Sequence, residues 1–292
     1  MKQDPPAISP STAHLLEAAE AASLKNHVEC LRQFANEAGD KDIRGYITKS
    51  IGGGIAARTT PLHGRKMNRV VGIGMDGPVM VKDIQSIESL YAGINMTPTI
   101  VVASGFADPG LREILLVRGY AVSMAVPIHY LALHDDREIQ PAMTTIGEAC
   151  GEIAIDRVGE DQRKSFIRAS AAGFAPKYPD SDLPYAQALS AAHRPDTTVY
   201  IARINGEFAG TAAVALIDTG IGKVANLYFD STLPAFQGRG VQMALIRTRL
   251  NDAKCAGADY ATASTWPVGS SARNFAKAGF RVGYQKKFWT LA

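Results

Sequence analysis

Residues 237–242 read Gln-Gly-Arg-Gly-Val-Gln, and they stand between a β-rich run, Val224–Phe229, and a segment with apolar residues at helical spacing. Gly238 and Gly240 let the main chain come close to a ligand, because neither carries a side chain. The first four N–H groups of a helix have no partner within it, and the helix dipole makes that end positive. The stretch therefore predicts a pyrophosphate cradle at the start of a helix, with Arg239 adding a charged contact. The alternative is a glycine-rich turn that only begins a helix.

The stretch lies within a longer series of predicted helices and strands. Asn205-Gly206 lies between two β-rich runs, where a type I′ hairpin turn needs positive φ at both central residues. The patterns predict helices at Asp161–Phe174, Leu183–His193, Gly238–Gly257 and Ser271–Ala278, and strands at Glu152–Val158, Thr198–Ile204, Phe208–Ile217, Lys223–Phe229, Asp259–Trp266 and Phe280–Leu291.

The first half of the chain shows a similar order of elements. Ser11 or Thr12 is expected to cap a helix that runs to about Ala38, and Ser50–Gly54 is expected to join two extended segments as a hairpin. Further elements are predicted at Arg69–Gly74, Val79–Gly93, Thr99–Ser104, Pro109–Arg118 and Tyr120–Leu133. The shared order favours a diverged tandem duplication, with a polar linker after His134.

From about Glu152 to Ala292 the chain resembles the core of the GNAT superfamily of N-acetyltransferases. The resemblance rests on the series strand, proline, Gln-x-x-Gly, long helix, strand, short helix and closing strand. Gln237 and Gly240 match the signature Arg/Gln-x-x-Gly-x-Gly/Ala, whereas Gln242 stands where Gly or Ala is usual. The resemblance implies acetyl-coenzyme A as cosubstrate. The residues expected to contact it are Ser231, Thr232, Leu233, Gln237, Gly238, Arg239, Gly240, Val241, Gln242, Ser271 and Asn274.

The resemblance also implies direct attack by an amine on the thioester within a ternary complex. In the family, a main-chain N–H near Ser231–Leu233 would polarise the thioester carbonyl, and a group on the same strand would take the proton of the amine. Tyr228 occupies the commonest position of that group, and Asp230 lies two residues on, on the same face if the strand is regular. Asp230 is the candidate base; its alternative role is to start a turn, with Tyr228 in the core. Phe275 stands where many members carry the tyrosine that protonates the thiolate, so Tyr284 on the closing strand is the replacement candidate.

The fold class expected is α/β, with mixed, mostly antiparallel sheets in two tandem GNAT-like domains. Residues 1–136 form a degenerate, non-catalytic copy, 137–151 a linker and 152–292 the catalytic domain. The first half does contain Gly72–Gly77, which fits Gly-x-Gly-x-x-Gly and raises the alternative of a dinucleotide site. Pro78 and Val79 at the helix start, and the lack of an acidic residue after Thr99–Ser104, argue against it.

Composition excludes several other classes of protein. The net charge of +3, from 31 basic and 28 acidic residues, is too small to indicate a nucleic-acid partner. The three cysteines are far apart, and no metal-ligand spacing or transmembrane segment is present, so we expect a cytoplasmic, soluble protein without metal or membrane partner. The acceptor expected is a small primary amine, uncharged or aromatic, because Phe166, Phe174, Tyr178, Tyr185 and His193 supply apolar surface. The rival hypothesis is a non-catalytic acyl-coenzyme A binding protein.

Overall fold

The chain divides into two compact units in a computed structural model that describes residues 8–39, 45–133, 152–174, 181–266 and 268–292. Unit 1 comprises Met1–His129 together with Arg281–Ala292, and unit 2 comprises Tyr130–Phe280. The predicted linker at 137–151, together with His134 and Tyr178, lies outside the described residues.

The described residues form helices and strands in nearly the order that the sequence patterns predict. In chain order the first half contains α1 (Pro10–Glu37), β1 (Ile47–Ile51), β2 (Gly54–Arg58), α2 (Gly64–Met67), β3 (Arg69–Val71), α3 (Val81–Ala92), β4 (Ile100–Ala103), α4 (Pro109–Val117) and β5 (Tyr120–Ala132). The second half contains β6 (Ile153–Arg157), α5 (Arg163–Phe174), α6 (Leu183–His193), β7 (Thr197–Ile204), β8 (Glu207–Asp218), β9 (Lys223–Thr232), α7 (Val241–Cys255), β10 (Tyr260–Ser264), α8 (Ser270–Lys277) and β11 (Arg281–Leu291).

Unit 1 is built on a mixed sheet in which the last strand of the sequence, β11, lies beside β4. The strand order is β1-β2-β3-β4-β11-β5, with β3 and β4 parallel and the other described pairs antiparallel. The register runs from Lys286 opposite Ala103 to Trp289 opposite Ile100. The expectation that one contiguous segment, 152–292, makes the second domain is therefore corrected at its end. Hydrogen bonding to β4 assigns Arg281–Ala292 to unit 1.

The N-cap of helix α1 lies two residues before Ser11, the nearer of the two predicted caps. Ser9 is the N-cap, its hydroxyl accepts a hydrogen bond from the main-chain N–H of Thr12, and Pro10 occupies the first helical position. Proline is favoured there because it has no N–H to leave unpaired. Because Pro10 fits the first helical position, the helix can begin directly after Ser9. Ser11 and Thr12 therefore lie inside the helix. The Ser50–Gly54 hairpin is confirmed, with Gly52 and Gly53 at positive φ between β1 and β2.

Unit 2 is a three-layer arrangement with helices on both faces of its sheet. The strand order is β10-β9-β8-β7-β6, antiparallel except for the pair β9 and β10. The predicted turn at Asn205-Gly206 is confirmed by φ values of 52° and 82°. Helices α5 and α6 pack on one face through a cluster that includes Phe166, Ile167, Ala188, Ala191 and Phe229. Helices α7 and α8 pack on the other face through a cluster that includes Leu227, Val241, Leu245, Leu250 and Phe275.

Candidate active site

Strand β9 contains a bulge at Phe229-Asp230. Thr211 on β8 lies opposite Ser231 and Ala213 lies opposite Tyr228, so two residues of β9 face the single residue between them on β8. Phe229 has a φ of 57°, in the left-handed region that a bulky residue rarely adopts. A bulge leaves one residue of the strand unpaired and redirects the side chains that follow it. Bulges and strained backbone are common at functional sites.

The bulge separates Tyr228 from Asp230, which corrects the expectation that they share a face. Tyr228 and Phe229 both pack against the cluster under α5 and α6. Asp230 instead pairs with Arg249 of α7, on the opposite face of the sheet. The inserted residue shifts the alternation of side chains by one position, so residues two apart in the sequence point in opposite directions.

Asp230 is the counter-ion of a fully buried arginine. The Arg249 side chain is 0% exposed and donates to Asp230, to the carbonyl of Ala213 at 2.9 Å and to the carbonyl of Leu245 at 3.0 Å. Burial raises the pKa of Asp230, and the guanidinium of Arg249 opposes that rise. The sequence patterns alone do not predict a role for Arg249. The one hint in the sequence is that Arg249 is a charged residue on the apolar stripe of α7, four residues after Leu245 and four before Ala253.

The hydroxyl of Tyr228 lies 3.2 Å from the hydroxyl of Thr197 on β7. The guanidinium carbon of Arg194 lies 5.9 Å from the centre of the Tyr228 ring, and Arg194 itself makes a two-point ion pair with Asp196. On the same face the ring of Phe174 stacks on Phe229 at 4.7 Å. This face of the bulge is therefore aromatic, with the Tyr228 hydroxyl as a polar group within it.

Strands β9 and β10 pair over only a short length. Their parallel register covers Val224–Asn226 and Tyr260–Thr262, whereas β9 continues to Thr232 in its pairing with β8. The carboxyl-terminal ends of two parallel strands lie at the same edge of a sheet, so the unpaired part of β9 opens at that edge. Of the three residues expected to polarise a thioester, Ser231 and Thr232 pair with β8. Leu233 is corrected as an amide donor, because its N–H already donates to the carbonyl of Ala209 at 3.0 Å.

Helix α5 approaches β9 closely at Gly173, a position that no sequence pattern marks. A Cβ atom on Gly173 would lie 1.7 Å from the hydroxyl oxygen of Ser231. That oxygen is buried and makes no hydrogen bond to the residues that the structure describes. Only glycine can occupy position 173 with Ser231 in this orientation, a constraint that becomes visible only when the two elements are packed.

The start of α7 is accessible to a ligand that would bind its main-chain N–H groups. Gly238 and Gly240 have φ values of 77° and 82°, and Gly240 is the N-cap of the helix. No side chain caps this end, and its first turn contains no acidic residue. A Cβ atom on Gly238 would meet no atom within 4 Å, so solvent or a ligand can reach the loop. Gln237 and Arg239 are exposed, and the Arg239 guanidinium lies 5.4 Å from the centre of the Phe236 ring.

Gln242 ties the first turn of α7 to α8. Its side-chain amide donates to the hydroxyl of Ser271 at 3.0 Å and accepts from Asn274 at 2.8 Å. The residue that departs from the family signature thus has a structural role. Ser271 and Asn274 come together with the glycine loop as expected, but they bind Gln242. Phe275 is 1% exposed and packs edge-to-face on Phe280, so it belongs to the core.

Tyr284, the candidate for protonating the thiolate, is buried and hydrogen-bonded to a carboxylate. It lies on β11 in unit 1. Its hydroxyl donates to Glu17, and burial, together with the charge of Glu17, raises the pKa of Tyr284 well above its usual value. The Tyr284 hydroxyl therefore stays protonated, and its proton takes part in the hydrogen bond to Glu17.

In unit 1, Gly72–Gly77 precede helix α3. Two carboxylates accept hydrogen bonds from main-chain N–H groups directly before that helix. The N–H of Val79 donates to Asp108 at 3.1 Å, and the N–H of Met80 donates to Asp83 at 2.8 Å. These are groups that a phosphate would need, and two carboxylates nearby would repel it. The start of α3 therefore differs physically from the start of α7.

Comparison with known proteins agrees with this geometry. Residues 157–280 match the sequence model of the acetyltransferase (GNAT) family. None of the curated proteins compared with the sequence matches it. Within the described residues, no helix is long and apolar enough to cross a membrane, and no group of three potential metal ligands occurs.

Several solved structures share the fold over most of both chains. A GCN5-related N-acetyltransferase from Kribbella flavida is 14% identical, with a TM-score of 0.61, over 89% of this chain and 94% of that one. A tandem GNAT protein from the clavulanic acid biosynthesis pathway is 15% identical, with a TM-score of 0.56, over 82% and 78%. A functionally unknown conserved protein from Staphylococcus epidermidis is 12% identical, with a TM-score of 0.51, over 84% and 93%. The predicted mixed α/β fold of the tandem GNAT type is confirmed.

Proposed function

We propose, on the premise that residues 157–280 are a GNAT acetyltransferase domain, that unit 2 transfers an acetyl group from acetyl-coenzyme A to a primary amine of a small molecule. The observation that carries the proposal is the uncapped glycine start of α7, beside the edge where β9 and β10 separate. The amine attacks the thioester directly while both substrates are bound.

The pyrophosphate of the cosubstrate binds at Gln237–Gln242. Four N–H groups at the start of α7 need partners, and neither a side-chain cap nor an acidic residue competes for them. An anion there gains typically 0.3–1 kcal/mol from the helix dipole in addition to the hydrogen bonds. Exposed Arg239 lies within the same loop and adds a charge-assisted contact with phosphate. Gln242, Ser271 and Asn274 hold α8 beside the loop and so fix its shape.

The thioester lies along the free edge of β9. The bulge supplies the main-chain donor for the thioester carbonyl, because one residue of Phe229-Asp230 has no partner on β8. Negative charge develops on that oxygen during attack, and a donor held by the sheet needs no reorganisation to meet it. Ser231 and Thr232 continue the edge towards the glycine loop.

Proton transfer from the amine remains assigned to Asp230, with Tyr228 as the second candidate on the other face. Asp230 shares its carboxylate with Arg249, so it can accept a proton only by weakening that ion pair. Burial, which raises the pKa of Asp230, moves it towards the range that a general base needs. Tyr228, Phe229 and Phe174 offer an aromatic surface, which suits an acceptor amine with an apolar or aromatic body.

Unit 1 acts as a non-catalytic copy in this proposal. Asp83 accepts the N–H of Met80, the N-cap of α3, and Asp108 accepts the N–H of Val79 just before it, so two carboxylates disfavour the pyrophosphate of coenzyme A or of a dinucleotide at this helix start. We therefore expect one coenzyme A site per chain. A non-catalytic acyl-coenzyme A binding protein is the second candidate, favoured by the buried Phe275 at the position of the family's proton donor.

Calorimetric titration of the full-length chain with coenzyme A and acetyl-coenzyme A tests the cradle without knowledge of the acceptor. We expect one micromolar site, lost in Gly240→Trp because the indole fills the space that phosphate needs. Gly257→Trp is the matched control: Gly257 also has positive φ, lies just beyond the other end of α7, and has no atom within 4 Å of a Cβ position. Equal binding by both variants, or a second tight site, would contradict the proposal. A screen of amines with detection of free thiol then separates a catalyst from a binding protein.

A further inference from the structure

Helix α8 carries two cations on its exposed face. Arg273 and Lys277 are four residues apart, so their side chains project from the same side of the helix. Both residues are exposed, and neither makes an ion pair with a residue that the structure describes. Lys277 lies in the last turn, where a cation also favours the helix dipole, but Arg273 lies in the middle of α8. The helix itself therefore gives no electrostatic reason for Arg273.

The hydrogen bonds of Gln242 hold this part of α8 against the first turn of α7. Its side chain binds Ser271 at 3.0 Å and Asn274 at 2.8 Å, and Gly240, the N-cap of α7, precedes it by two residues. Arg273 lies between Ser271 and Asn274 in the sequence. Adjacent Cα atoms are about 3.8 Å apart, so the main chain of Arg273 is one residue from a direct contact with this turn. A long side chain at that position can reach a ligand that the glycine loop holds.

The segments that form this region contain no acidic residue. Residues 231–251, with the glycine loop and most of α7, and residues 260–280, with β10 and α8, include neither Asp nor Glu. At the average frequency of the chain, 28 in 292 residues, the two segments would include about four. Asp230, just before the first segment, is bound to Arg249. An anion beside α7 and α8 therefore meets cations from these segments and no carboxylate.

A second pair of exposed cations at the same spacing occurs on α5, at Lys164 and Arg168, so spacing alone does not indicate a site. The α5 pair follows two carboxylates, Glu160 and Asp161, and its helix packs on the other face of the unit 2 sheet from α7. The α8 pair differs in its attachment to the glycine loop and in the absence of carboxylates from the segments around it. These two features together support a ligand at α8.

We propose that Arg273 and Lys277 bind the 3′-phosphate of coenzyme A, so that unit 2 selects coenzyme A over its 3′-dephospho form. The inference rests on the proposed function, which places the pyrophosphate at the glycine loop. A single ribose joins the 3′-phosphate to the pyrophosphate, so the two groups bind close together. The 3′-phosphate, like other phosphate monoesters, carries a charge of about −1.5 to −2 at neutral pH. The arginine fork matches phosphate oxygens with parallel N–H groups, and lysine adds a point charge.

Calorimetric titration of the full-length chain with coenzyme A and with 3′-dephospho-coenzyme A tests the inference. We expect the parent to bind coenzyme A about tenfold more tightly, because charge-assisted contacts to the 3′-phosphate are missing in the other ligand. Arg273→Ala/Lys277→Ala should bind both ligands equally, and 3′-dephospho-coenzyme A as tightly as the parent does. The matched control, Lys164→Ala/Arg168→Ala, removes the same charges at the same spacing and should keep the preference of the parent.

Equal affinity of the parent for the two ligands overturns the inference and leaves the proposed function intact. The assignment to α8 is also overturned if Arg273→Ala/Lys277→Ala keeps the preference or loses affinity for both ligands alike. Loss of the preference in the control would indicate only the general charge of the protein. Failure of the parent to bind either ligand contradicts the proposed function, and the inference with it. Unchanged affinity for 3′-dephospho-coenzyme A shows that the variant is folded, so a folding defect cannot produce the expected result.

Discussion

Replacing Lys286 by methionine removes the positive charge at the centre of a buried ionic cluster in unit 1. The ammonium lies 2.7 Å from Oε1 of Glu17 and also donates to Glu20. The side chain of Lys286 is 3% exposed and that of Glu17 is 1% exposed. Tyr284 donates to Glu17 as well, but Oε2 of Glu17 has no hydrogen-bond partner among the described residues. Glu17 therefore depends on Lys286 for compensation of its charge.

The expected loss of stability follows from a distinction between two changes. Loss of one partner of a buried ion pair leaves a charge, whereas replacement of both partners leaves none. Loss of one partner leaves an uncompensated charge and typically costs about 3–5 kcal/mol. Methionine preserves most of the length and apolar volume of lysine, so lost packing adds little. We expect Lys286→Met to lower the free energy of unfolding of unit 1 by about 3–5 kcal/mol at pH 8. Glu17→Gln/Lys286→Met should recover most of this loss, because a neutral amide needs no counter-charge.

The cost should also depend on pH. Burial raises the pKa of Glu17 above its ordinary value of 4.5, and Lys286 opposes that rise. Without Lys286 the folded-state pKa rises further, so folded Glu17 binds its proton more tightly than unfolded Glu17 does. Stability from such a group is fully present below the unfolded pKa and is lost as pH rises through the folded one. The difference between Lys286→Met and its parent should therefore be smaller at pH 5 than at pH 8.

Fluorescence can follow the unfolding of unit 1 specifically. The chain has two tryptophans; Trp289 on β11 is 5% exposed, whereas Trp266 is 65% exposed. In a Trp266→Phe background, urea unfolding reports on Trp289 alone. A cost below about 1 kcal/mol at pH 8, the value of an exposed pair, would refute the reasoning. An equal cost at pH 5 and pH 8, or no recovery in the double variant, would refute it as well.

Four further changes test the candidate site and the cluster. Gly173→Ala should destabilise unit 2 by about 1–3 kcal/mol, because its Cβ would overlap the hydroxyl of Ser231; thermal unfolding should show partial recovery in Gly173→Ala/Ser231→Gly. Gln242→Ala removes two hydrogen bonds between α7 and α8, so calorimetry should show coenzyme A affinity falling roughly tenfold, with an unchanged value counting against the role of α8. Tyr284→Phe should lower stability by about 1–3 kcal/mol in urea unfolding and alter acetyl transfer less than twofold; a large loss of turnover would restore it as the acid. Asp230→Asn should flatten the acidic limb of the pH–rate profile if Asp230 is the base, whereas a counter-ion of Arg249 alone would leave the shape of that profile intact.

Local patterns in the sequence predict most of the elements, because turns and caps are chosen by nearby residues. Asn205-Gly206 forms the expected turn since these residues tolerate positive φ, and α6 occupies the predicted Leu183–His193. The start of α1 was missed by two residues because Ser9, Ser11 and Thr12 all have the chemistry of a cap. The left-handed backbone at Gly238 and Gly240, before α7, also agrees with the sequence, because glycine adopts positive φ at little cost.

Features that depend on contacts between residues far apart in the sequence could not be predicted from local patterns. Nothing in the sequence around Phe229 marks a bulge, because the residue at positive φ is an aromatic one where glycine or asparagine would be the usual signal. The prediction that Asp230 lies on the same face of β9 as Tyr228 was therefore wrong. The place of β11 beside β4, and hence the environment of Tyr284, depends on pairing between strands that lie far apart in the sequence.

The position of β11 reverses the order in which the two units can be completed on the ribosome. Met1–His129 are translated first, yet their sheet lacks the strand beside β4 until Arg281–Ala292 have been made. At typical synthesis rates the intervening residues take on the order of ten seconds, during which β4 presents an unpaired edge. Unit 2 has all its residues by Phe280 and is free to fold earlier. Loss of Arg281–Ala292 would therefore damage unit 1, whose other residues all precede unit 2 in the sequence.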